Sequence, residues 1–368
     1  MSDTDKRYMA LALSLGRRGQ GRVWPNPAVG CVIVKDGRIV GRGWTQPGGR
    51  PHGEAVALAQ AGASAAGATA YVTLEPCAHH AKTPPCADAL VNARVARVVV
   101  AHMDPDPRVN GAGVGALRAA GIDVTTGLLQ AHAQADHLGF LMRIRSGRPM
   151  VTLKLASSFD GRIATATGES KWITGPQARR YVHALRARHD AVMIGAGTAR
   201  ADDPALTVRD MGVDAQPVRV IISRNLDLPL DSQLAKTARD VPVWICHGPA
   251  ANPALIAAWK GIGAMLLPVP VSRGQLDITA VLHALGEQGL TRVFCEGGGA
   301  LAASLLTAGV ADRLIGFTAG VALGAEGRPS LAAMGLEHLA QAPRFELEEL
   351  RDLGGDVLHS WRAKAAAD

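Results

Sequence analysis

Short apolar runs alternate with segments of helical periodicity along almost the whole chain of 368 residues, and this alternation narrows the fold more than any other feature. Strands that alternate with helices of about ten residues are typical of a layered sheet with helices on both faces. The alternation is interrupted once, at residues 146–149, where Ser-Gly-Arg-Pro precedes the apolar run MVTLKLA. The chain is also about twice as long as a usual domain. The sequence therefore predicts two α/β domains, at residues 1–147 and 148–368.

The same alternation predicts the individual elements. An Asp-Gly pair at residues 36–37 favours a hairpin between strands at 28–35 and 38–44. The first domain is further expected to contain helices at 5–18, 53–62, 84–93, 113–121 and 128–145, and strands at 69–74, 95–102 and 122–126. After the strand that begins at residue 150, the second domain is expected to contain helices at 176–188, 252–259, 276–287 and 299–308, strands at 190–195, 218–223, 242–246, 263–267 and 291–296, and a closing hairpin over 344–362.

The first residues and the cysteines bear on the compartment in which the chain works. Acidic residues come first and arginines follow the short apolar run, which is the reverse of a secretory signal. The uncharged stretch from Ala55 to Leu74 is interrupted by Gly62 and Gly67, which favours helix–turn–strand over a transmembrane helix. We therefore expect a cytoplasmic protein with no membrane contact, whose five cysteines stay reduced.

The net charge of +7 lies entirely in the first part of the chain. Residues 1–150 carry 17 Lys and Arg against 10 Asp and Glu, whereas residues 151–368 carry 22 of each. Such an excess is consistent with solubility alone or with an anionic partner. No run of basic residues is interleaved with aromatic ones, so a phosphorylated small molecule is favoured over a nucleic acid.

Residue types that bind zinc occur at His52, Cys77 and Cys86, and Glu54 follows the histidine closely. One imidazole and two thiolates are ligands that Zn²⁺ favours, and three protein ligands leave a fourth position open, as in catalytic zinc sites. Residues 83–85, Thr-Pro-Pro, predict a helix start that places Cys86 in the first turn, where the helix dipole favours its thiolate. His-x-Glu followed by Pro-Cys and a second Cys is the signature of zinc-dependent base deaminases, in which the glutamate moves protons.

The spacing departs from that signature, because eight residues separate the two cysteines instead of two. His79 and His80 lie in this segment and could bind metal by type, but His52 already completes a set of three. A disulfide between Cys77 and Cys86 is disfavoured by the expected compartment. Three other cysteines lie inside apolar strands and are expected to be core residues: Cys31, Cys246 and Cys295.

Four segments together carry a resemblance to a known family: PNPAVGCVIV (25–34), PHGEAVAL (51–58), TLEPCAHHAKTPPC (73–86) and DPDPRVNGAGVGALRAAGI (104–122). They resemble the deaminase domain of the bifunctional deaminase–reductases of riboflavin biosynthesis. The resemblance implies a cytidine-deaminase-like three-layer α/β/α domain with one Zn²⁺ on His52, Cys77 and Cys86. It also implies that Glu54 transfers protons and that Asn26 faces the pyrimidine of the substrate. Lys82 could be a solvated charge, or, because it lies next to the zinc ligands in the sequence, it could contact the phosphate or the base of the substrate.

Two glycine-bearing turns follow predicted strands in the second half, GAGTARADDPALTVR (195–209) and EGGGALAASLL (296–306). Such turns let backbone N–H groups approach a phosphate, although tight turns also need glycine without any ligand. With KLASSFDGRIATATGESKWITG (154–175), they resemble the reductase domain of the same enzymes, which is similar in fold to dihydrofolate reductase. The resemblance implies that NADPH contacts Ala156, Trp172, Thr198, Asp202, Gly298, Gly299, Ala300, Leu301, Ala302, Ala303 and Ser304. It implies substrate contacts from Ser170, Arg186, Leu206, Arg209 and Glu296.

Three further roles in the second domain are open. Asp202 and Lys154 are both candidates for proton transfer, although a lysine at a strand start is often only a solvated charge. Arg224, which follows the strand at 218–223, could face the 2′-phosphate of the cofactor.

The combined prediction is a homo-oligomeric enzyme with two successive activities. It deaminates a diaminopyrimidinone ribosyl phosphate and then reduces the ribose with NADPH. A deaminase of tRNA or nucleosides with a fused domain would explain the zinc motif but not the second half. A non-enzymatic zinc scaffold would require a fourth protein ligand, and none occurs at a suitable spacing.

Overall fold

A computed structural model describes residues 2–78 and 84–364 of the chain. The chain divides into two compact units, the first ending at Gly147 and the second beginning at Arg148. The division lies within the Ser-Gly-Arg-Pro segment. Among the described residues, no helix is both long enough and apolar enough to cross a membrane.

The first unit is a five-stranded sheet with helices on both faces. The strand order is β2-β1-β3-β4-β5; β1 is antiparallel to both of its neighbours, and β3, β4 and β5 are parallel. The elements are α1 (Asp3–Gly16), β1 (Gly30–Lys35), β2 (Arg38–Trp44), α2 (Gly53–Ala61), β3 (Thr69–Val72), α3 (Cys86–Asn92), β4 (Arg97–Val100), α4 (Ala112–Ala119), β5 (Asp123–Thr126) and α5 (Gln130–Ser146).

The alternation of side chains along β1 explains the three layers. Cys31 and Ile33 pack into one apolar cluster with residues of α2, α3 and α4, whereas Val32 and Val34 pack into a second cluster with residues of α1 and α5. Successive side chains of a strand point to opposite faces, so a strand that is apolar at every position must be covered on both. The predicted α/β/α layering is confirmed.

The predicted hairpin between β1 and β2 is also present. Asp36 and Gly37 both adopt positive φ, at 49° and 72°. A two-residue turn of this kind matches the twist of the flanking strands, and it favours Asp or Asn followed by Gly.

The second unit is built around a nine-stranded sheet, in the order β11-β10-β9-β8-β14-β6-β15-β18-β17. Its strands and the short ladders beside it are β6 (Met150–Ser158), β7 (Arg162–Ala164), β8 (Ala191–Gly195), β9 (Val218–Ile222), β10 (Val243–His247), β11 (Met265–Pro268), β12 (Val271–Ser272), β13 (Gln275–Leu276), β14 (Arg292–Cys295), β15 (Arg313–Ala319), β16 (Arg328–Pro329), β17 (Phe345–Asp352) and β18 (Val357–Ala363). Its helices are α6 (Pro176–Arg186), α7 (Ala196–Asp202), α8 (Gln233–Lys236), α9 (Pro253–Ile262), α10 (Ile278–Glu287) and α11 (Gly299–Thr307).

The position of β14 sets the place of the functional cavity in this unit. β14 lies between β6 and β8 and is parallel to both, although it comes much later in the chain. In open parallel sheets, ligands bind at the carboxyl ends of strands where the strand order reverses. The closing hairpin of β17 and β18 is antiparallel and continues the sheet beyond β15, as predicted.

Some elements differ from the expected ones. The helix α7 and the strand β15 have no counterpart among the predicted elements, although the run RLIGFTA of β15 is apolar enough to indicate a strand. The helix α3 begins at Cys86, two residues later than predicted. Pro85 is its N-cap, with extended backbone at ψ 143°. A residue before proline is disfavoured in the helical region, so Pro84 cannot begin the helix. Cys86 still lies in the first turn.

Candidate active sites

Three side chains of the first unit converge on one point. His52 is the N-cap of α2, Cys86 is the first residue of α3, and Cys77 follows β3. His52 Nδ1 lies 3.7 Å from Cys77 Sγ and 3.3 Å from Cys86 Sγ. The three potential ligand atoms lie within 4.8 Å of one another. The predicted zinc ligands are therefore brought together.

Close packing behind Cys77 fixes its position. A Cβ atom at Gly113, in the first turn of α4, would lie 2.0 Å from the carbonyl oxygen of Pro76, so only glycine allows this approach. The backbone N–H of Ala87 donates a hydrogen bond to the carbonyl oxygen of Cys77 at 3.2 Å. The segment that carries Cys77 is thus held by α4 on one side and by α3 on the other.

The chemistry of the three groups fits a divalent cation. The Cys86 thiol donates to Cys77, which lowers the pKa of Cys77 to about 4 with further help from His52, whereas the same hydrogen bond raises the pKa of Cys86. The backbone N–H of Cys86 also donates to Cys77 Sγ at 3.3 Å. Zn²⁺ would be bound at this point by two thiolates and an imidazole nitrogen.

Glu54 lies beside this cluster in the first turn of α2. Its side chain is buried, and its Oε2 atom has no hydrogen-bond partner among the described residues. Burial raises the pKa of Glu54 to about 7, while His52 acts in the opposite direction. A buried, unpartnered carboxyl oxygen is costly for stability, which favours a functional role for it.

The cluster of predicted zinc ligands and Glu54 both border one cavity, which has a volume of about 320 Å³. Asn26, His52, Glu54 and Cys77 line it, as predicted for a substrate pocket next to zinc. Lys82 lies outside the described residues, as do His79, His80 and Thr83.

Several lining residues were not singled out in the sequence, although the quoted segment 104–122 contains four of them, Asp104, Asp106, Arg108 and Val109. Glu75 explains how that segment is held, because its carboxylate accepts hydrogen bonds from the backbone N–H groups of Gly111 at 3.0 Å and Val114 at 3.1 Å. Burial raises the pKa of Asp104 to about 6. The additional lining residues with polar or large side chains are Thr45, Arg50, Glu75, Asp104, Asp106, Arg108, Phe140, Arg143 and Ile144.

A second cavity, of about 560 Å³, lies within the second unit at the carboxyl ends of β6, β8 and β14. The glycine turn before α11 forms part of its wall. There, the backbone N–H of Gly298 donates a hydrogen bond to Thr198 Oγ1 at 3.2 Å, which ties the turn to α7. The predicted residues that line this cavity are Lys154, Ala156, Ser170, Thr198, Asp202, Glu296, Gly298, Gly299, Ala300 and Leu301.

Three charged side chains line this cavity, Lys154, Asp202 and Glu296, and Arg186 forms an ion pair with Glu296. Arg186 Nε and Nη2 donate to the two oxygens of Glu296 at 2.5 and 3.0 Å, and both side chains are almost buried. Burial alone would raise the pKa of Glu296, but Arg186 and Lys154 outweigh it and lower the pKa below its ordinary value. Burial lowers the pKa of Lys154, with Glu296 and Asp202 acting against that shift. Lys154 thus lines the same cavity as two carboxylates that favour its charged form.

The other predicted residues of the second unit do not line the cavity. Leu206 is a core residue whose side chain packs in an apolar cluster. Its φ is 55°. Ala302 and Ala303 are buried in α11. Trp172 is exposed and stacks with the Arg179 guanidinium, 4.5 Å from the ring centroid.

The remaining three positions are also not among the residues that line the cavity. Arg209 is exposed, and its backbone N–H bonds His183. Arg224 donates to the carbonyl oxygen of Gly274, and Ser304 donates to that of Ala300. Arg328 and Ser330 line the cavity without having been predicted.

The five cysteines behave as expected. None of them forms a disulfide, and Cys31, Cys246 and Cys295 are buried inside strands.

Comparison with known families assigns each unit. Residues 2–102 match the family described as the cytidine and deoxycytidylate deaminase zinc-binding region. Residues 149–359 match the RibD C-terminal domain. The first match covers the His-Cys-Cys cluster, and the second covers the whole of the second cavity.

Full-length relatives agree with both matches. The chain is 46% identical to the riboflavin biosynthesis protein RibD of Escherichia coli, over 96% of this chain and 98% of that protein. A solved structure of Acinetobacter baumannii RibD has a TM-score of 0.87 at 40% identity, covering 98% of this chain and 99% of the other. The Thermotoga maritima diaminohydroxyphosphoribosylaminopyrimidine deaminase/5-amino-6-(5-phosphoribosylamino)uracil reductase has a TM-score of 0.85 at 33% identity, with the same coverage. The chain therefore belongs to the RibD family, the bifunctional riboflavin-biosynthesis enzymes that combine a zinc-dependent deaminase and an NADPH-dependent reductase.

Proposed function

We propose that the first cavity deaminates 2,5-diamino-6-(5-phosphoribosylamino)pyrimidin-4(3H)-one, and that the second reduces the ribose of the resulting 5-amino-6-(5-phosphoribosylamino)uracil to the ribityl form. The observation that carries the first half is the placement of Glu54, with an unpartnered carboxyl oxygen, in the cavity that His52 and Cys77 also line. The similarity to the Thermotoga maritima deaminase/reductase supports both steps.

The residues of the first cavity have separate roles in the hydrolysis. His52 Nδ1, Cys77 Sγ and Cys86 Sγ would hold Zn²⁺, which supplies Lewis-acid activation of a water molecule. Glu54 accepts a proton from that water and delivers it to the amino group that leaves as ammonia. A carboxyl with a pKa of about 7 can both accept and release a proton near neutral pH, which one residue must do to serve both steps. Asn26 lines the same cavity and orients the pyrimidine.

The second cavity positions two ligands. NADPH supplies the hydride when it is bound. The N-terminus of α11 directs backbone N–H groups toward the cofactor phosphates, and the hydrogen bond from the Gly298 N–H to Thr198 Oγ1 holds the preceding turn in place. Lys154 and Asp202 both line the cavity, so either can deliver the proton that accompanies hydride transfer. Glu296 lines this cavity, and its ion pair with Arg186 fixes the Glu296 carboxylate toward the substrate.

The two alternative functions are each disfavoured by a particular observation. A tRNA or nucleoside deaminase with an unrelated fused domain does not account for a RibD C-terminal domain over residues 149–359. A zinc scaffold needs a fourth protein ligand, but the cluster found among the described residues consists of His52, Cys77 and Cys86. A scaffold also has no use for a buried Glu54 whose Oε2 atom has no hydrogen-bond partner among the described residues.

The test is coupled turnover with the diaminopyrimidinone phosphate, in which ammonia release and NADPH consumption are measured together. Glu54→Gln should slow ammonia release about 10²- to 10⁴-fold, the usual contribution of general acid–base catalysis, with zinc content unchanged. It should still reduce substrate that has already been deaminated. Asp202→Asn serves as the crossed control, because it should slow NADPH oxidation and spare ammonia release. Deamination by Glu54→Gln at near the wild-type rate would contradict the proton-transfer role.

We further propose that the enzyme is a homo-oligomer that works in the cytoplasm. Support for assembly comes from β17, an edge strand of the nine-stranded sheet that exposes Leu347 and Leu350. Exposed apolar side chains on an unpaired strand edge favour association. Light scattering on the zinc-loaded protein measures the assembly directly, and a monomer mass would contradict it.

A further inference from the structure

Arg328 lies on the wall of the second cavity, in the short strand β16. Its partner on the antiparallel strand β7 is Ala164, which lines the same cavity. Directly opposed residues of an antiparallel pair have their side chains on one face of the ladder. The guanidinium lies against the turn at Gly168, because a Cβ atom there would be 3.0 Å from Arg328 Nη2. Gly168 also lines the cavity, so the charged end of Arg328 is at the cavity wall.

The residues that follow Arg328 pack directly against the start of α11. The backbone N–H of Ala332 donates a hydrogen bond to the carbonyl oxygen of Gly299 at 3.1 Å. A Cβ atom at Gly299 would lie only 3.2 Å from the carbonyl oxygen of Pro329, so glycine permits this close approach. Pro329 is the next residue after Arg328. The guanidinium and the first turn of α11 therefore belong to adjoining parts of one cavity wall.

The first turn of α11 offers hydrogen-bond donors to a ligand. Gly298 is the N-cap, and its own N–H is bonded to Thr198 Oγ1. The backbone hydrogen bond from the Ala302 N–H to the Gly298 carbonyl oxygen closes the first turn. The N–H groups of residues 299–301 precede that bond, so they have no acceptor within the helix. Such donors, together with the positive end of the helix dipole, favour a phosphate group.

The other charged side chains that line this cavity interact among themselves. They are Lys154 of β6, Asp202 at the end of α7 and Glu296 after β14. Glu296 forms its ion pair with Arg186. Burial lowers the pKa of Lys154, and Glu296 and Asp202 act against that shift. Arg328 is not among the charges that act on Lys154 or Glu296. The cavity therefore has a group of interacting charges and, apart from it, one further cation.

The guanidinium of Arg328 is bound by no carboxylate of the described residues. It is exposed, and it forms no ion pair or hydrogen bond with Asp202 of the cavity. The same holds for two acidic residues of the adjoining segments, Glu326 before β16 and Glu169 in the turn against which the guanidinium lies. Its planar fork of N–H donors is thus available to a ligand, and this fork matches the oxygens of a phosphate.

We propose that Arg328 binds the pyrophosphate of NADPH together with the first turn of α11. This inference rests on the proposed function, because it assigns a contact to the cofactor of the second cavity. The pyrophosphate carries two negative charges, and the N–H groups of residues 299–301 with one guanidinium supply donors to both of its phosphate groups. Helix N-termini after parallel strands commonly bind this part of a dinucleotide. Arg328 therefore sets the affinity for the cofactor and does not select NADPH over NADH, which share the pyrophosphate.

The test measures cofactor binding to the full-length, zinc-loaded protein without pyrimidine substrate, by fluorescence titration. Arg328→Ala should weaken NADPH binding roughly tenfold, the lower end for a charge-assisted hydrogen bond, because the side chain is exposed. NADH, which lacks the 2′-phosphate, should lose affinity by the same factor. The ratio of kcat/KM for the two cofactors, measured on deaminated substrate, should accordingly stay at its wild-type value. Arg180→Ala removes an exposed arginine of α6 that does not line the cavity, and this matched control should bind both cofactors as the wild type does.

Three results would overturn the inference. An unchanged affinity of Arg328→Ala for NADPH is the first. A loss confined to NADPH is the second, because it would place Arg328 at the 2′-phosphate. The third is a loss of affinity that is matched by a lower midpoint of denaturant unfolding, which would indicate a structural role; the midpoint should instead equal that of the wild type. If the wild-type protein binds neither cofactor, the proposed reductase function itself fails, and this result is distinct from the other three.

Discussion

The two cavities of this chain are built in different ways. In the first unit, the reactive groups are four side chains, three of which approach a common point from the starts of two helices and from the segment after β3. In the second unit, the cavity wall is largely backbone: a glycine turn before α11, another before α7, and the ends of three parallel strands. A site of the first kind depends on single side chains, whereas a site of the second kind depends on how strands are ordered. The difference predicts how each unit responds to substitution.

The largest effect is expected from removing one thiolate. Cys86→Ser should abolish zinc binding and slow deamination by at least about a thousandfold, because the metal supplies several kcal/mol of transition-state stabilisation. Reduction of substrate that has already been deaminated should continue, because Cys86 belongs to the other unit. The measurements are zinc content by mass spectrometry, ammonia release and NADPH oxidation.

Cys31→Ala provides the control for this variant. Cys31 is a buried thiol of the same unit that does not belong to the cluster, so its removal should leave the zinc content unchanged. If Cys86→Ser kept one zinc per chain and its deamination rate, the side-chain description of the first site would be wrong.

The same difference explains how much of each site could be predicted from the sequence. Metal binding and proton transfer are typical of the residue types at four positions, His52, Glu54, Cys77 and Cys86. The spacing of these positions resembles a known signature, so they could be identified before the fold was known. Arg143 could not, because it lies 57 residues after Cys86 and reaches the cavity only through the packing of α5.

The second site was predicted less completely, for a related reason. The glycine turns of that site are visible in the sequence, but the insertion of β14 between β6 and β8 is a property of the whole sheet. Leu206, which was taken from the resemblance, and Arg224, which was suggested by its place after a predicted strand, are not among the residues that line the cavity in this chain. The helix and strand pattern, in contrast, was largely predicted, because alternation of apolar runs is a local property of the chain.

A second prediction concerns the ion pair between Arg186 and Glu296, of which Glu296 lines the reductase cavity. Arg186→Met leaves the Glu296 carboxylate buried without its bidentate partner, and such a loss costs about 3–5 kcal/mol in the free energy of unfolding. Denaturant unfolding measures the change. Arg180→Met is the control on the same helix, because Arg180 is exposed, and it should change stability little. The double variant Arg186→Met/Glu296→Gln should recover part of the loss, and a failure to recover any of it would show that lost packing rather than an uncompensated charge is the cause.

The smallest expected effect is a pH dependence of stability from His189, which is buried beside Phe294 in the second unit. Burial lowers the pKa of His189 to about 3, and the charge of Arg292 adds to that shift. The unfolded chain binds a proton at this histidine below its ordinary pKa of about 6.5, and the folded chain does not. The stabilising contribution is therefore complete above about pH 6.5 and is lost progressively as the pH falls toward 3, at about 2 kcal/mol by pH 5. His189→Gln should unfold with a shallower dependence on pH over this range, whereas the exposed His283→Gln should follow the wild type. Equal slopes for His189→Gln and the wild type would mean that His189 is protonated in the folded protein, contrary to its burial against Thr152 and the carbonyl oxygen of Leu185.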